Sequence, residues 1–382
     1  MTNTVIASVV LPVPSSKTSS QSIRYIDLSA VDSESKTITM ARSIDSLTAP
    51  SRARQPVHEG DVLVSTVRPN LNGVARITSD LDGAIASTGF CVLRPKSELL
   101  DSRYLFHWVR SPQFVAGMVR VATGASYPAV SDAVVKASSL PLPTLSEQIR
   151  IADILDQTDL LRARLTRADE LADEMAKSVF DEMFGTESSW PSGTIFDLID
   201  SANYGTSAKA GAAGQFPVLR MGNLDARGKL RLEDLKYLDL TEAEFAKYSV
   251  QRGDVLFNRT NSPDLVGKTA YFGLSEPMAF AGYLIRLRMK PSQSGVYLSA
   301  FLNSARSKKI LRNMAKSIVG MANINAQEIQ KMVIPLPPPE EQRLFEQRMM
   351  EISSRAEVVA KRKRLLDELF ASLQRRAFEG TL

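Results

Sequence analysis

Residues 139–152 read SLPLPTLSEQIRIA, and residues 333–346 read VIPLPPPEEQRLFE. In both phrases a short apolar run flanked by prolines leads straight into a charged stretch of helical character. Aligning them sets Pro141 on Pro335 and Glu147-Gln148 on Glu341-Gln342, an offset of 194. Nearly the same offset recurs elsewhere. VHEGDVLVSTVRPN (57–70) matches VQRGDVLFNRTNSP (250–263), VATGASYPAVS (121–131) parallels SIVGMANINAQ (317–327), and Gly185 parallels Gly380. A period this long is not that of a solenoid. It marks a duplicated module of one globular domain followed by one helix.

The helical half of the module is the easier to read. Thr144-x-x-Glu147 has the pattern of a capping box, in which the hydroxyl takes an orphan N–H and the carboxylate reaches back. The second copy has Pro338 in place of Thr144. Pro339 then suits the first helical position, and Glu341 favours the positive end of the helix. Neither proline nor glycine interrupts the run to Phe184 or to Phe378. Two helices of about 38 residues are predicted, each roughly 57 Å long at 1.5 Å per residue, stopped by Gly185 and Gly380.

Apolar residues along them step by four and three, the spacing of a coiled coil. The first helix carries Leu161, Leu165, Ala168, Ala172, Met175 and Val179. The second carries Phe345, Met349, Ile352, Ala356, Val359, Leu366, Phe370, Leu373 and Ala377, with Lys363 on the seam. So narrow a stripe suits a helix partner better than a broad globular face. The expected pairing residues are therefore Leu161, Leu165, Ala172, Met175 and Val179 against Met349, Ile352, Val359, Leu366, Phe370 and Leu373, in antiparallel sense.

The rest of each module alternates short β-like runs, such as DVLVSTV, GFCVLRP, FPVLRM and YLIRLRMK, with turn signals such as RPNLNG and DARGKL. Each also carries one helical stretch, 102–120 and 298–316. The expected fold class is α+β: two β-rich α+β domains separated by two long helices that form an antiparallel coiled coil, a tandem repeat with pseudo-twofold symmetry. The expected boundaries are 1–143 for the first domain and 144–185 for the central helix, then 186–337 for the second domain and 338–382 for the last helix.

Composition narrows the function. The 382 residues are 44% hydrophobic and 23% charged, with 47 Lys and Arg against 42 Asp and Glu. That is ample for packed cores, and the mild basic excess fits a polyanionic partner. One cysteine, Cys91, excludes a disulfide framework and a cysteine zinc site. The two histidines, His58 and His107, read as structural residues, and no metal site is expected. The apolar N-terminal run lacks a basic flank and reads as a strand. No run nears the roughly 18 apolar residues of a membrane span, so a cytoplasmic protein without a membrane partner is expected.

Catalytic signatures are missing. Gly267-Lys268-Thr269 resembles the tail of a phosphate-binding loop, but Ser262 stands where its first glycine is required. Pro263-Asp264 lacks the acidic-x-Lys pair of a nuclease. KRKR (361–364) lies mid-helix among charges of both signs and reads as a solvated face. The chain is therefore read as non-catalytic.

Loops rich in Arg, Asn, Ser, Thr and Tyr recur in both copies. Such side chains reach base edges and phosphates, although turn chemistry alone also favours several of them. The candidate DNA-binding set is Arg68, Asn70, Asn72, Thr123, Ser126 and Tyr127 in the first copy. In the second it is Tyr204, Thr206, Ser207, Asn258, Arg259, Thr260, Asn261, Lys268, Asn323 and Asn325.

Taken in order, LPLPTLSEQIRIADILD, IPLPPPEEQRLFEQRM, GDVLVSTVRPNLNGVA, GDVLFNRTNSPDLVGKTAYF, VGMANINAQEIQKMVIPLP and the terminal RAFEGTL resemble the specificity (S) subunit of Type I restriction–modification enzymes. The likeness extends over essentially the whole chain. It implies two target recognition domains, each reading one half of a split, asymmetric site on double-stranded DNA. It implies paired helices that set the unread spacer and dock two modification (M) subunits. Two restriction (R) subunits would complete the complex. S-adenosylmethionine would belong to the M subunits, ATP and Mg to the R subunits, and no cofactor to this chain. A Type IIB-like system, with one fused restriction–modification partner, is the alternative.

Overall fold

A computed structural model describes residues 2–15, 21–185, 190–261, 267–318 and 321–382, with the side chains of 261, 316–318, 321 and 322 outside that description. The chain forms two compact units. The first comprises Met1–Arg167 with Ala360–Leu382, and the second Ala168–Val359.

The first unit holds two four-stranded sheets. In one, Val10–Leu11, Phe90–Pro95, Val62–Ser65 and Val74–Arg76 lie side by side, all antiparallel. The other runs Arg42–Asp45, Ser22–Ile26, Ile85–Ser87 and Ala53–Pro56, with the middle pair parallel. The second unit repeats this plan. Ile199–Tyr204, Leu284–Met289, Val255–Asn258 and Thr269–Tyr271 form one sheet. Lys236–Leu238, Phe216–Leu219, Met278–Phe280 and Ser249–Val250 form the other, again with a parallel middle pair. The mixed α+β class and the duplication expected from the sequence are both present.

The Gly-Asp phrase in each copy has a packing role. Gly60 and Gly253 have φ of +86° and +100°, a left-handed turn that glycine adopts without a Cβ clash. The next residue, Asp61 or Asp254, is buried. Its carboxylate accepts the amide of His58 or Gln251 and a two-pronged pair of bonds from Arg94 or Arg288 at 2.7–2.9 Å. Fork-to-carboxylate geometry of this kind satisfies a charge that would be costly to bury alone.

The proline-flanked phrases are strands that end in a lock. Ser139–Leu142 pairs with Thr2–Val5, and Val333–Pro335 pairs with Ser192–Thr194. Tyr104 and Tyr297 each donate a hydroxyl hydrogen bond of 2.8 Å into the phrase, to the carbonyls of Pro141 and Pro335. The long helices follow, Leu145–Phe184 and Pro339–Glu379. On their first turns Gln148 and Gln342 are buried. The Gln148 amide accepts from Asp101 N at 2.9 Å and donates to the carbonyls of Leu99 and Pro143 at 3.0 Å. Gln342 accepts from Ser294 N at 2.9 Å and donates to Pro337 O at 2.9 Å and Gln293 Oε1 at 2.8 Å. One amide thus ties each domain to its helix.

The capping box is half formed. Thr144 Oγ1 accepts from Glu147 N at 3.4 Å, but the Glu147 carboxylate turns to Arg150 at 2.6 and 2.8 Å instead of reaching back. A guanidinium three residues on offers it a charged partner. Pro339 does open the second helix.

Both units pack a helix phenylalanine edge-on against the tyrosine of the lock, Phe378 on Tyr104 and Phe184 on Tyr297, and they differ in what surrounds it. In the second, Phe180 and Phe184 of one long helix and Phe345 of the other meet around Tyr297, with ring centroids 4.8–6.2 Å apart. In the first, Phe370 and Phe378 join Ile151 and Leu155 in the core, flanked by a ladder of hydrogen bonds to aspartates. Arg103 bonds Asp153 at 2.6 Å, His107 bonds Asp156 at 2.7 Å and Arg110 bonds Asp159 at 2.5 Å. Arg162 bridges the two helices to Asp367 at 2.6 Å while covering the Phe370 ring. Within the first unit Arg150 meets Leu382 and Arg162 meets Asp367, so the two helices run antiparallel there.

The seam of the second helix follows the heptad count: Met349, Ile352, Val359, Leu366 and Leu373 are half-buried and Phe370 is buried. On the first helix, Leu165, Ala172 and Val179 are half-buried, but Leu161 and Met175 are 48% and 51% exposed. Their places are taken one residue later, by half-buried Arg162 and Ala176. The apolar pattern misleads there because a seam position holds an arginine satisfied by Asp367 and an aromatic face.

Candidate nucleic-acid interface

In both units an arginine just beyond the central strand stacks on a tyrosine distant in sequence. Val62–Ser65 leads into Thr66, whose carbonyl accepts from Val130 N, and Arg68 N then donates to Pro128 O at 2.7 Å. These bonds bring loop 121–131 against Arg68, whose guanidinium lies 4.5 Å from the centroid of the exposed Tyr127 ring. Arg68 and Asn72 both have positive φ, 50° and 46°, at the ends of a 3-10 turn, Pro69–Leu71. Non-glycine residues seldom adopt this conformation, and here it holds Asn70 and Leu71 out into solvent.

The second unit reaches a similar result with other partners. Val255–Asn258 leads to Arg259, whose carbonyl accepts from Ile324 N at 2.9 Å. Its guanidinium sits 4.8 Å from the Tyr204 ring centroid and donates to Asn323 Oδ1 at 3.3 Å. Thr260 donates to the same oxygen at 3.2 Å. The Tyr204 hydroxyl accepts from Ala326 N at 2.9 Å, which fixes the ring. Arginine over an aromatic face is attractive by cation–π forces, and the Arg259 guanidinium also donates from Nη1 to Gly282 O at 3.5 Å.

Several candidates spend their polar atoms inside the protein. Asn72 donates weakly to Arg110 O and accepts Lys36 Nζ at its carbonyl. Buried Thr206 accepts from Ala208 N. Asn325 caps a helix by accepting from Gln327 N and Glu328 N at 2.9 Å. Asn258 is fully buried on the central sheet. Arg68, Asn70, Thr123, Ser126, Tyr127, Tyr204 and Ser207 are exposed, and Arg259, Thr260, Lys268 and Asn323 half-buried. The side chain of Asn261 lies outside the described residues, as do Ser262 and the Pro263-Asp264 pair.

Two lysines beside these loops escape a motif reading. Burial pushes the Lys36 amine down to about 8, with Arg110 adding repulsion. Burial likewise lowers Lys308 to about 8, aided by Lys268 and Arg312, while its Nζ donates to Gly267 O. Nothing in their sequence neighbourhoods signals them, because the desolvating groups come from other parts of the fold. A different surface lies on the long helices. Leu160, Leu161, Leu365 and Leu369 are exposed in the first unit, and Leu171, Met175, Leu344 and Met350 in the second.

Comparison with known proteins agrees with this layout. A model of the Type I restriction modification DNA specificity domain matches residues 48–172 and 188–364. The chain belongs to the specificity subunits of Type I restriction–modification systems. Among related specificity subunits, that of EcoKI from Escherichia coli K12 is 25% identical over 318 residues, 77% of this chain and 68% of its own length. The StySPI specificity subunit of Salmonella potsdam is 25% identical over 317 residues, with the same shares covered. A chain from a structural study of complex assembly and conformational transition in the type I R-M system superposes with a TM-score of 0.60 at 25% identity, covering 100% of this chain and 98% of that one. The Type-I S subunit of M. genitalium has a TM-score of 0.61 at 13% identity, covering 99% and 96%, and shares the fold. As a specificity subunit, the chain serves DNA specificity in a Type I system. Among the described residues no helix is long and apolar enough to cross a membrane.

Proposed function

We propose that the two β-rich domains read the two halves of a bipartite, asymmetric DNA target, and that the long helices set the unread spacer between them. The observation that carries this is an arginine–tyrosine stack just beyond the central strand in each of two copies of one scaffold, built from arginines two positions apart in register and from tyrosines of different segments. Arg68 is framed by Tyr127 and a left-handed turn, and Arg259 by Tyr204, Asn323 and Thr260. Equal scaffolds with unequal reading groups imply unequal half-sites, since bases are distinguished by the donors and acceptors that meet their edges. The helices, 40 and 41 residues long, are each about 60 Å at 1.5 Å per residue, a length commensurate with a DNA spacer.

The subunit is non-catalytic in this reading. Its exposed helix leucines and methionines dock two modification subunits, which bind S-adenosylmethionine and flip and methylate the target adenine. Two restriction subunits supply ATP- and Mg-dependent translocation and cleavage. The assembly works in the cytoplasm. The type I assembly from which a relative of 25% identity derives supports the partners.

Exchanging residues 186–337 for the corresponding domain of another specificity subunit tests the reading. Methylome sequencing should show one half-site replaced and the other unchanged. A change in both halves, or in neither, refutes modular reading.

A further inference from the structure

In the second unit a tight hairpin reaches out to the first long helix. Its tip, Asp225–Lys229, is internally rigid. The Asp225 carboxylate accepts the backbone amides of Arg227 and Lys229 at 2.8 and 2.9 Å, and Asp225 N donates to Lys229 O at 3.0 Å. Gly228, at φ +83°, lies so close to the domain that a Cβ would stand 2.6 Å from Asn303 Nδ2 and 3.1 Å from Thr269 O. The hairpin is thus seated on its domain, and two cations project from it. Arg227 Nη1 lies 2.7 Å from Asp173 and 3.1 Å from Asp169. Lys229 Nζ lies 3.0 and 3.8 Å from the same two carboxylates. Two cations alternate with two anions, and Asp173 is only 16% exposed.

We infer that this hairpin is a latch that positions the second recognition domain against the first long helix, and that Arg227 and Lys229 thereby limit the spacer lengths the subunit accepts. Nothing in the DNA-binding set uses these residues. The base of the domain is held by the amide lock at Gln342 and by the rings of Phe180, Phe184 and Phe345 around Tyr297, and a body held at its base can still swing. The latch is a further attachment, on the first long helix, seven residues or about 10 Å before Phe180. The first copy lacks the same arrangement. In the hairpin of the first copy, closed by Val31–Asp32 on Thr37–Ile38, Thr37 stands where the second has Lys229, and the neighbouring Lys36 donates to the Asn72 carbonyl. Position would therefore be held differently in the two halves.

The inference rests on the two-part reading proposed above, and methylome sequencing of cells carrying the full chain with its modification subunits separates the two. Wild type should give two half-sites at one spacer length. Arg227→Glu with Lys229→Glu places four anions together. It should leave both half-sites unchanged and raise the share of methylated sites with a spacer one base pair longer or shorter. The rise should be about tenfold, the loss of two surface pairs. Adding Asp169→Lys and Asp173→Lys should restore the single spacer. A doubly substituted protein with the wild-type spacer distribution overturns the latch. So does one that methylates nothing and is not rescued by the reversed pair. A wild-type methylome without a two-part motif overturns the functional reading and the latch with it.

Discussion

Gln342→Glu exchanges one atom group in a site that needs both ends of an amide. The amide oxygen accepts from Ser294 N at 2.9 Å, and the nitrogen donates to Pro337 O and Gln293 Oε1 at 2.9 and 2.8 Å. A carboxylate keeps the acceptor, loses both donors and turns a buried anion toward two oxygens. Two lost hydrogen bonds cost about 1 kcal/mol each, and leaving buried acceptors unpaired adds about 1–3 kcal/mol. The expected loss is therefore about 3–5 kcal/mol at pH 8. Gln342→Ala, which leaves no charge, should cost less. The sign with pH follows from burial beside acceptors, which raises the pKa of the introduced carboxyl. Protonation returns one donor, so the Glu variant regains stability as pH falls through that raised pKa and loses it as pH rises. Urea unfolding followed by tryptophan fluorescence measures this. The chain has two tryptophans. Trp190 packs against the second core, so a Trp108→Phe background reports the second unit. A Glu variant within about 0.5 kcal/mol of its parent at pH 8 would refute the amide lock, since a single net hydrogen bond already exceeds that.

Other consequences are open to measurement. Phe345→Ala, removing a fully buried ring between Phe180 and Phe184, should destabilise the second unit by about 3–5 kcal/mol, seen in the same unfolding assay. Buried His107 has its pKa lowered, chiefly by burial, with the Asp156 contact opposing. Its unfolded form therefore binds a proton first, so melting temperature should drop as pH falls below about 6.5, and His107→Gln should flatten that slope. Arg68→Ala and Arg259→Ala should each weaken DNA binding by the specificity–modification complex. Where the contact is to phosphate, each should also reduce the salt slope by about one. An unchanged affinity for both would remove them from the interface.

Much of the architecture was legible because it depends on local chemistry repeated in register. Glycine at a left-handed turn, proline at a helix start and uninterrupted helical spacing each leave a mark where they act. On the second helix the apolar residues Met349, Ile352, Val359, Leu366 and Leu373 are half-buried and Phe370 buried, at the spacing the sequence shows, with Lys363 half-buried among them. On the first helix the rule failed at Leu161 and Met175, because Arg162 is held on the seam by Asp367 and Phe370. The interface divided in the same way. Arginine and asparagine loops could be picked out, yet Asn72, Thr206 and Asn325 turned out to bond within the protein, and Asn258 is buried.

By itself, then, the sequence determined the duplication, the α+β class, the two long helices and the junction phrase that opens each of them. Tertiary structure decided what that junction does. Gln148 and Gln342 look like ordinary polar residues on a helical turn until Leu99, Asp101, Gln293 and Ser294 arrive from far along the chain. It also decided which arginines lie on tyrosines and which acidic residues of the helix meet the Arg227 hairpin. Periodicity records which face of an element is apolar. Hydrogen bonds and ion pairs depend on which distant segments meet that face, and that is set only when the whole unit has folded.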